Sequence, residues 1–240
     1  MAPHPGVRGV YKHAELRYTW PVLTTRASED FLKVMYGLVT SGEPVTTGGL
    51  AHRLGVSPPS VSAMIRRLEG ELLVERPKGA ELRLTEHGER AALRVVRRHR
   101  LLETFLAHAL DLPWDEVHAE AELLEHALSD RLEECIDVAL GRPTHDPHGD
   151  PIPPRNGQHD EHYGQRLDGV SVGTSFVVQR VSDQDSEALR HLGVRGVVPG
   201  ARLEVVEKEP FGGPLWVVVH GERLALGAPL TRLVHGLVVS

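Results

Sequence analysis

The 240-residue chain holds one cysteine, Cys135, so it has no intrachain disulfide framework to build on. No apolar run approaches the roughly 18 residues that a membrane-spanning helix needs. The first 20 residues carry Arg8, Lys12 and Arg17 but neither a continuous apolar stretch nor a small-residue cleavage pattern, so they do not read as a signal peptide. A cytoplasmic protein without a membrane partner is the expectation. There is also no internal repeat.

Charge is unevenly placed. Residues 1–100 carry 16 Lys and Arg against 10 Asp and Glu, whereas residues 101–240 carry 11 against 23. A basic first part suits a polyanion, and an acidic remainder is suited to gathering cations. The alternative is that both sets merely solvate the surface.

Periodicity divides the chain. SEDFLKVMYGLVTSG places Phe31, Leu32, Met35, Leu38 and Val39 at helical spacing from Ser28 and stops at Gly42. A short helix ended by Gly55 follows, then a helix opened by Ser57 with proline in its first turn and Val61, Ile65 and Leu68 on one face. Two short helices joined by a glycine-containing turn are a helix-turn-helix signature. LLVERPKGAELRLT alternates around Pro77–Ala80 as a β-hairpin does, which is where a wing would sit. Glu86 to Leu110 reads as an arginine-rich helix, and Pro113 to Leu140 as a second long helix ended by Gly141 and Pro143. Residues 141–168 are proline-rich without an apolar period and read as a linker or an extended loop, and the short valine-rich runs from Gly169 onward read as a small β-barrel.

The N-terminal end of the second helix of a helix-turn-helix faces the major groove. Here Ser57, Ser60 and Ser62 can bond phosphates or bases, and Pro58 and Pro59 can touch thymine methyls. Arg66 and Arg67 lie further along, and Arg76 and Lys78 in the wing can neutralise phosphates. A protein-docking module is the competing reading.

VHAEAELLEH sets His118, Glu122, Glu125 and His126 on one side of a helix, and His99 and Glu103 share a face of the preceding one. Carboxylates clustered this closely favour a compensating divalent cation. Hydrolytic zinc motifs do not fit: H-E-x-x-H is absent, and Glu122 stands where H-x-x-E-H requires its first histidine. No catalytic residue and no small-molecule substrate are therefore expected. The linker histidines His145, His148, His159 and His162 read as solvated loop residues.

The series SPPSVSAMIRRLEGELLVE, LTEHGERAA, RRHRLLETFL, VHAEAELLEHALSD and HDPHGDPIP resembles the diphtheria-toxin-repressor family of bacterial metalloregulators over about residues 24–240. The resemblance implies a mainly α protein with a β C-terminal domain. Its parts would be a flexible arm (1–23), a winged helix-turn-helix domain (24–90), a helical dimerisation and metal domain (91–143), a linker (144–168) and an SH3-like, FeoA-like barrel (169–240). It implies a primary metal site of Asp30, Glu122, Glu125 and His126, and an ancillary site of His99, Glu103 and His118, with Asp146, Asp183 and Asp185 as weaker candidates. Asp30 and Glu122 follow the manganese-responsive branch, and an oxygen-rich site suits a hard ion, although affinity at fixed ligands favours Fe²⁺ and Zn²⁺ over Mn²⁺. Lys33 departs from that branch, standing where a member can carry a second-metal glutamate. The implied function is a Mn²⁺-dependent repressor of metal-transport genes, with Fe²⁺ as the alternative effector, that binds a double-stranded operator as a homodimer. Two rival readings are a metal-independent winged-helix regulator and a metallohydrolase.

Overall fold

Side-chain caps mark where the second and third helices begin. The computed structural model describes residues 25–78, 81–155 and 163–239. The N-terminal arm, the hairpin tip at Gly79 and Ala80, and His159 and His162 fall outside them. Helix α1 (Arg26–Thr40) buries Phe31, Leu32, Met35 and Leu38. Helix α2 (Thr47–Leu54) starts where the Thr46 hydroxyl accepts the Gly49 N–H at 3.0 Å. It ends at Gly55, whose φ of 65° is open to glycine at little cost and turns the chain into the next helix. Helix α3 (Pro58–Gly70) is capped by Ser57 and buries Val61, Ile65 and Leu68.

Two short antiparallel strands, β1 (Val74–Glu75) and β2 (Arg83–Leu84), pair as the wing. With α1, α2, α3 and the start of α4 they share one aliphatic core.

Helix α4 (Glu86–Leu110) continues into a second core with Val117, Ala121, Leu128 and Ile136. The single helix expected from Pro113 to Leu140 is two helices, α5 (Val117–Leu124) and α6 (Asp130–Ala139). The break has a local cause: the Ser129 hydroxyl accepts the Leu132 N–H at 3.2 Å and starts a new helix, leaving Glu125 to Ala127 in a turn. The arginines of α4 also differ from a solvated basic face. Arg97 bonds Glu133 at 3.0 Å and Asp137 at 2.9 Å, and Arg98 bonds Glu133 at 3.2 Å and Asp130 at 2.7 Å, so much of this positive charge joins α4 to α6.

Residues 144–155 are a packed loop rather than a solvated linker. The Asp146 carboxylate accepts the N–H groups of His148 and Asp150, each at 2.9 Å, while Arg100 and Arg97 donate to the carbonyls of Pro151 and Pro153. These bonds satisfy the backbone without water, which is what lets the loop be buried. Gly149, at φ 91°, sits against the carbonyl of Gln179, where a Cβ would come within 1.9 Å.

The C-terminal part is the expected SH3-like sheet. Strands β3 (Gln165–Arg166), β4 (Ser175–Val181), β5 (Arg202–Lys208), β6 (Leu215–Val219), β7 (Glu222–Leu226) and β8 (Val234–Val239) run antiparallel in the order β3-β8-β4-β5-β6-β7. Alternate residues such as Phe176 and Val178, Leu203 and Val205, and Leu215, Val217 and Val219 fill its core. Helix α7 (Ser186–Val194) crosses between β4 and β5, and helix α8 (Ala228–Thr231) precedes β8. Trp114, from the α4–α5 connection, packs onto the core of the sheet, and Arg190 bonds Asp115 at 2.8 Å, so the sheet is docked on the helical domain.

Candidate metal centre

The donors of α4 and α5 gather around Glu103, whose side chain is fully buried. Its Oε1 lies 2.9 Å from His99 Nε2 and 3.1 Å from His118 Nδ1, and Asp183, just past β4, brings Oδ2 to 2.9 Å from His118 Nδ1. His99, Glu103, His118 and Asp183 each present a donor atom within 4.8 Å of the others. The spacing of His99 and Glu103 along α4 sets them on one face; bringing Asp183 to them required the docked sheet.

A second group shares the same carboxylate. Glu103, Asp146 and His148 also present mutually close donors. His148, expected as a solvated loop residue, is fully buried: its Nε2 donates to the Trp114 carbonyl at 2.7 Å, which turns Nδ1 toward Glu103. That Nδ1 and Glu103 Oε2 face each other at 3.9 Å, and both are buried without a hydrogen-bond partner. An imidazole fixed by a carbonyl at one nitrogen and open at the other is the usual arrangement of a histidine ligand. The HDPHGD segment contained this residue, but only tertiary burial separates it from the exposed His145.

The third group joins the DNA-reading part to the helical part. His126 donates from Nδ1 to Glu29 Oε2 at 2.6 Å, turning Nε2 toward Asp30 Oδ1 at 2.8 Å and Glu125 Oε1 at 3.3 Å. Asp30 Oδ1 and His126 Nε2, facing each other, are again buried without a hydrogen bond. A lone pair aimed at two carboxylates is unfavourable unless a cation lies between them, so this donor set fits a divalent metal. Glu122, expected here, is drawn aside: Lys33 Nζ lies 2.5 Å from Glu122 Oε1 and 2.7 Å from Glu125 Oε1. Glu122 instead groups with Glu125 and His99, whose Nδ1 donates to Glu125 Oε2 at 2.5 Å. Asp185 joins none of these groups; its carboxylate caps α7 by accepting the Ala188 N–H at 3.0 Å.

The electrostatics follow the geometry. Burial alone would lower the pKa of His99, but the charge of Glu103 and bonds to Glu103 and Glu125 outweigh it and push it up to about 9. Burial likewise opposes Asp183 and Glu103 at His118, which is pushed up to about 10, and Glu103 at His148, pushed up to about 9. Glu103 is held well below the ordinary carboxylate range: burial would raise it, but His99, His118 and His148 win. Lys33 is raised, because Glu125 and Glu122 outweigh its burial. Protons thus occupy the Glu103 groups in the metal-free chain. A cleft of about 930 Å³, lined by His99, Glu103, His118, Glu122, Asp146 and Asp183, opens onto them.

The residues expected to face DNA lie at the start of α3, along it and beyond β1. Ser57, Pro58, Pro59, Ser60 and Arg66 are exposed at or along α3, and Ser62 is half-buried with its hydroxyl donating to the Pro58 carbonyl at 3.1 Å. Arg67 is exposed but bonded to Glu71 at 2.9 Å. Arg76 and Lys78 are exposed beyond β1.

Residues 23–80 match the iron dependent repressor N-terminal DNA binding domain, residues 85–154 the iron dependent repressor metal binding and dimerisation domain, and residues 165–235 the FeoA domain. The chain is 34% identical over 212 residues to the iron-dependent repressor IdeR of Mycobacterium tuberculosis, covering 83% of this chain and 91% of that one. Among solved structures it is similar to a manganese-dependent transcriptional repressor in complex with manganese, with a TM-score of 0.82 and 41% identity over 88% of this chain and 100% of the other. It is also similar to ScaR with bound Zn²⁺, at TM-score 0.77 and 31% identity over 88% and 99% of the two chains. The winged helix, the buried donor groups and these relationships agree: the chain belongs to the diphtheria-toxin-repressor family and is a metal-dependent, DNA-binding transcriptional repressor.

Proposed function

We propose that the effector is Mn²⁺ and that the chain acts in the cytoplasm as a homodimer on a double-stranded operator, repressing genes of manganese, and to a lesser extent iron, transport. The observation that carries the reading is the unpartnered pair Asp30 Oδ1 and His126 Nε2, one on α1 of the DNA-binding domain and one at the end of α5. Asp30, Glu125 and His126 would hold one ion. His99, Glu103, His118 and Asp183 would hold another, with Asp146 and His148 reaching the second oxygen of Glu103. A bound divalent ion would supply, in place of the imidazole protons, the positive charge that these facing carboxylates call for.

The choice of Mn²⁺ is supported by the absence of sulfur from every donor group and by the preference of hard oxygen ligands for hard ions. Manganese is also the metal named for the most similar of the solved structures cited above, whereas iron is named for the curated relative. The residues themselves do the coupling. Asp30 moves with α1, Glu125 and His126 move with α5, and drawing the three together fixes the DNA-binding domain against the helical domain. Ser57, Pro58, Pro59, Ser60 and Ser62 at the start of α3 would then read base edges, while Arg66, Arg67, Arg76 and Lys78 would meet phosphates. Two copies would present their α3 helices one helical turn of DNA apart, or a multiple of it.

The test is operator binding by the metal-free protein titrated in parallel with Mn²⁺, Fe²⁺ and Zn²⁺. Binding that appears with Mn²⁺ and reverses with chelator supports the reading; binding indifferent to metal leaves the winged helix and removes Mn²⁺ as the effector.

A further inference from the structure

One of the four donor groups already contains a cation. His99, Glu122 and Glu125 bring donors within 4.8 Å of one another, and Lys33 Nζ bonds two of the three. The lysine side chain is only 16% exposed, and its stem runs from α1 to α5. Metal–oxygen bonds for such ions are about 2.0–2.2 Å, so an ammonium between Glu122 Oε1 and Glu125 Oε1 occupies the space that a metal bridging those two oxygens would need.

We propose that Lys33 is the resident cation of the His99–Glu122–Glu125 position, excluding metal from it and holding α1 on α5 whether or not metal is bound. The inference rests on the metal-centre reading and deepens it, because it assigns which groups respond to metal. A tethered ammonium is present at a fixed high effective concentration, so dilution of the ion cannot remove it. The metal-dependent part of the α1–α5 tie then falls to Asp30 and His126, whose facing atoms have no partner. Glu125 serves both: Oε1 faces Lys33 and His126, while Oε2 accepts from His99. Lys33 also holds Glu125 at the edge of the Asp30–His126 gap, so the ammonium preorganises a ligand of the neighbouring position while closing its own.

The experiment uses the full-length wild-type chain, Lys33→Glu and Lys33→Gln, dialysed against Mn²⁺ alone, with metal per chain counted by elemental analysis. Lys33→Glu is expected to take up one more Mn²⁺ per chain than wild type, and Lys33→Gln to take it up more weakly. Wild type that binds Mn²⁺ normally, with no gain in either variant at any concentration, overturns the role of Lys33 alone. Wild type that binds no Mn²⁺ overturns the metal centre itself. Because a variant can fail to fold, a second measurement uses only wild type: acetylation of Lys33, followed by mass spectrometry with and without Mn²⁺. Protection in both states is expected, and acetylation that appears on adding Mn²⁺ shows the ammonium displaced and overturns the proposal.

Discussion

The Glu103 region and the Asp30–His126 region use the same residue types for different ends. Around Glu103 the donors come from α4, α5, the packed loop at Asp146 and His148, and the edge of the sheet at Asp183, so one fully buried carboxylate touches three structural layers. At Asp30 the donors come only from α1 and the turn that follows α5, and a lysine supplies part of the counter-charge. The first is built like a core and the second like a hinge. A site enclosed by many elements is suited to keeping its ion, whereas a site across two elements can change their relative position for little loss of packing.

The sharpest way to break this contrast is Glu103→Gln. Both Glu103 groups lose the carboxylate charge and one of its two oxygens, and since even an outer-shell partner is worth about 10–100-fold in metal affinity, the loss is expected to exceed about 100-fold. Calorimetric titration with Mn²⁺ reads it; near-wild-type affinity would show that Glu103 is only a structural anion. Asp30→Ala is the complementary cut. Mn²⁺ should still bind at the Glu103 groups, but the metal-dependent gain in operator affinity, of the order of 5- to 150-fold for allosteric couplings, should vanish in fluorescence anisotropy. A retained metal response would place the coupling elsewhere.

Acidity sharpens the contrast from the ligand side. From the sequence, metal affinity is expected to weaken as pH falls through the ordinary histidine range near 6.5. The structure moves that window upward, because His99, His118 and His148 hold protons up to about 9, 10 and 9. Mn²⁺ must displace these protons, so affinity at the Glu103 groups is expected to rise about tenfold per pH unit for each proton displaced, from pH 6 to 9. Titration in buffers of different ionisation enthalpy counts the protons; a flat profile would contradict these ligands. The same raised values stabilise the metal-free fold fully below pH 6.5, and that contribution fades as pH climbs through about 9 to 10. The smallest expected effect lies at the DNA end. Ser57→Ala removes the cap of α3 and should cost about 1 kcal/mol in urea unfolding. It should leave metal uptake unchanged, which separates DNA reading from metal sensing.

Periodicity and helix-start residues made the helix-turn-helix, the wing and the valine-rich sheet legible, because each rests on short-range rules: Ser57 and Gly55 at the turn, Val61, Ile65 and Leu68 on one face, alternation in β4 to β6. The same local rules missed the break at Ser129, where a capping serine lies inside a pattern that remains helical on both sides.

Sequence by itself determined which residues could be ligands: His99 with Glu103, and His118 with Glu122, Glu125 and His126, follow from helical spacing alone. Tertiary structure decided which of them meet. Asp183 reaches His118 because the sheet docks on Trp114, and His148 points at Glu103 because the loop folds on Asp146. Glu122 turns away from Asp30 because Lys33, 89 residues earlier, lies against it. Spacing along one helix is a covalent fact of the chain, while convergence between elements depends on how buried charges find compensation, and that is settled only when the whole fold has closed.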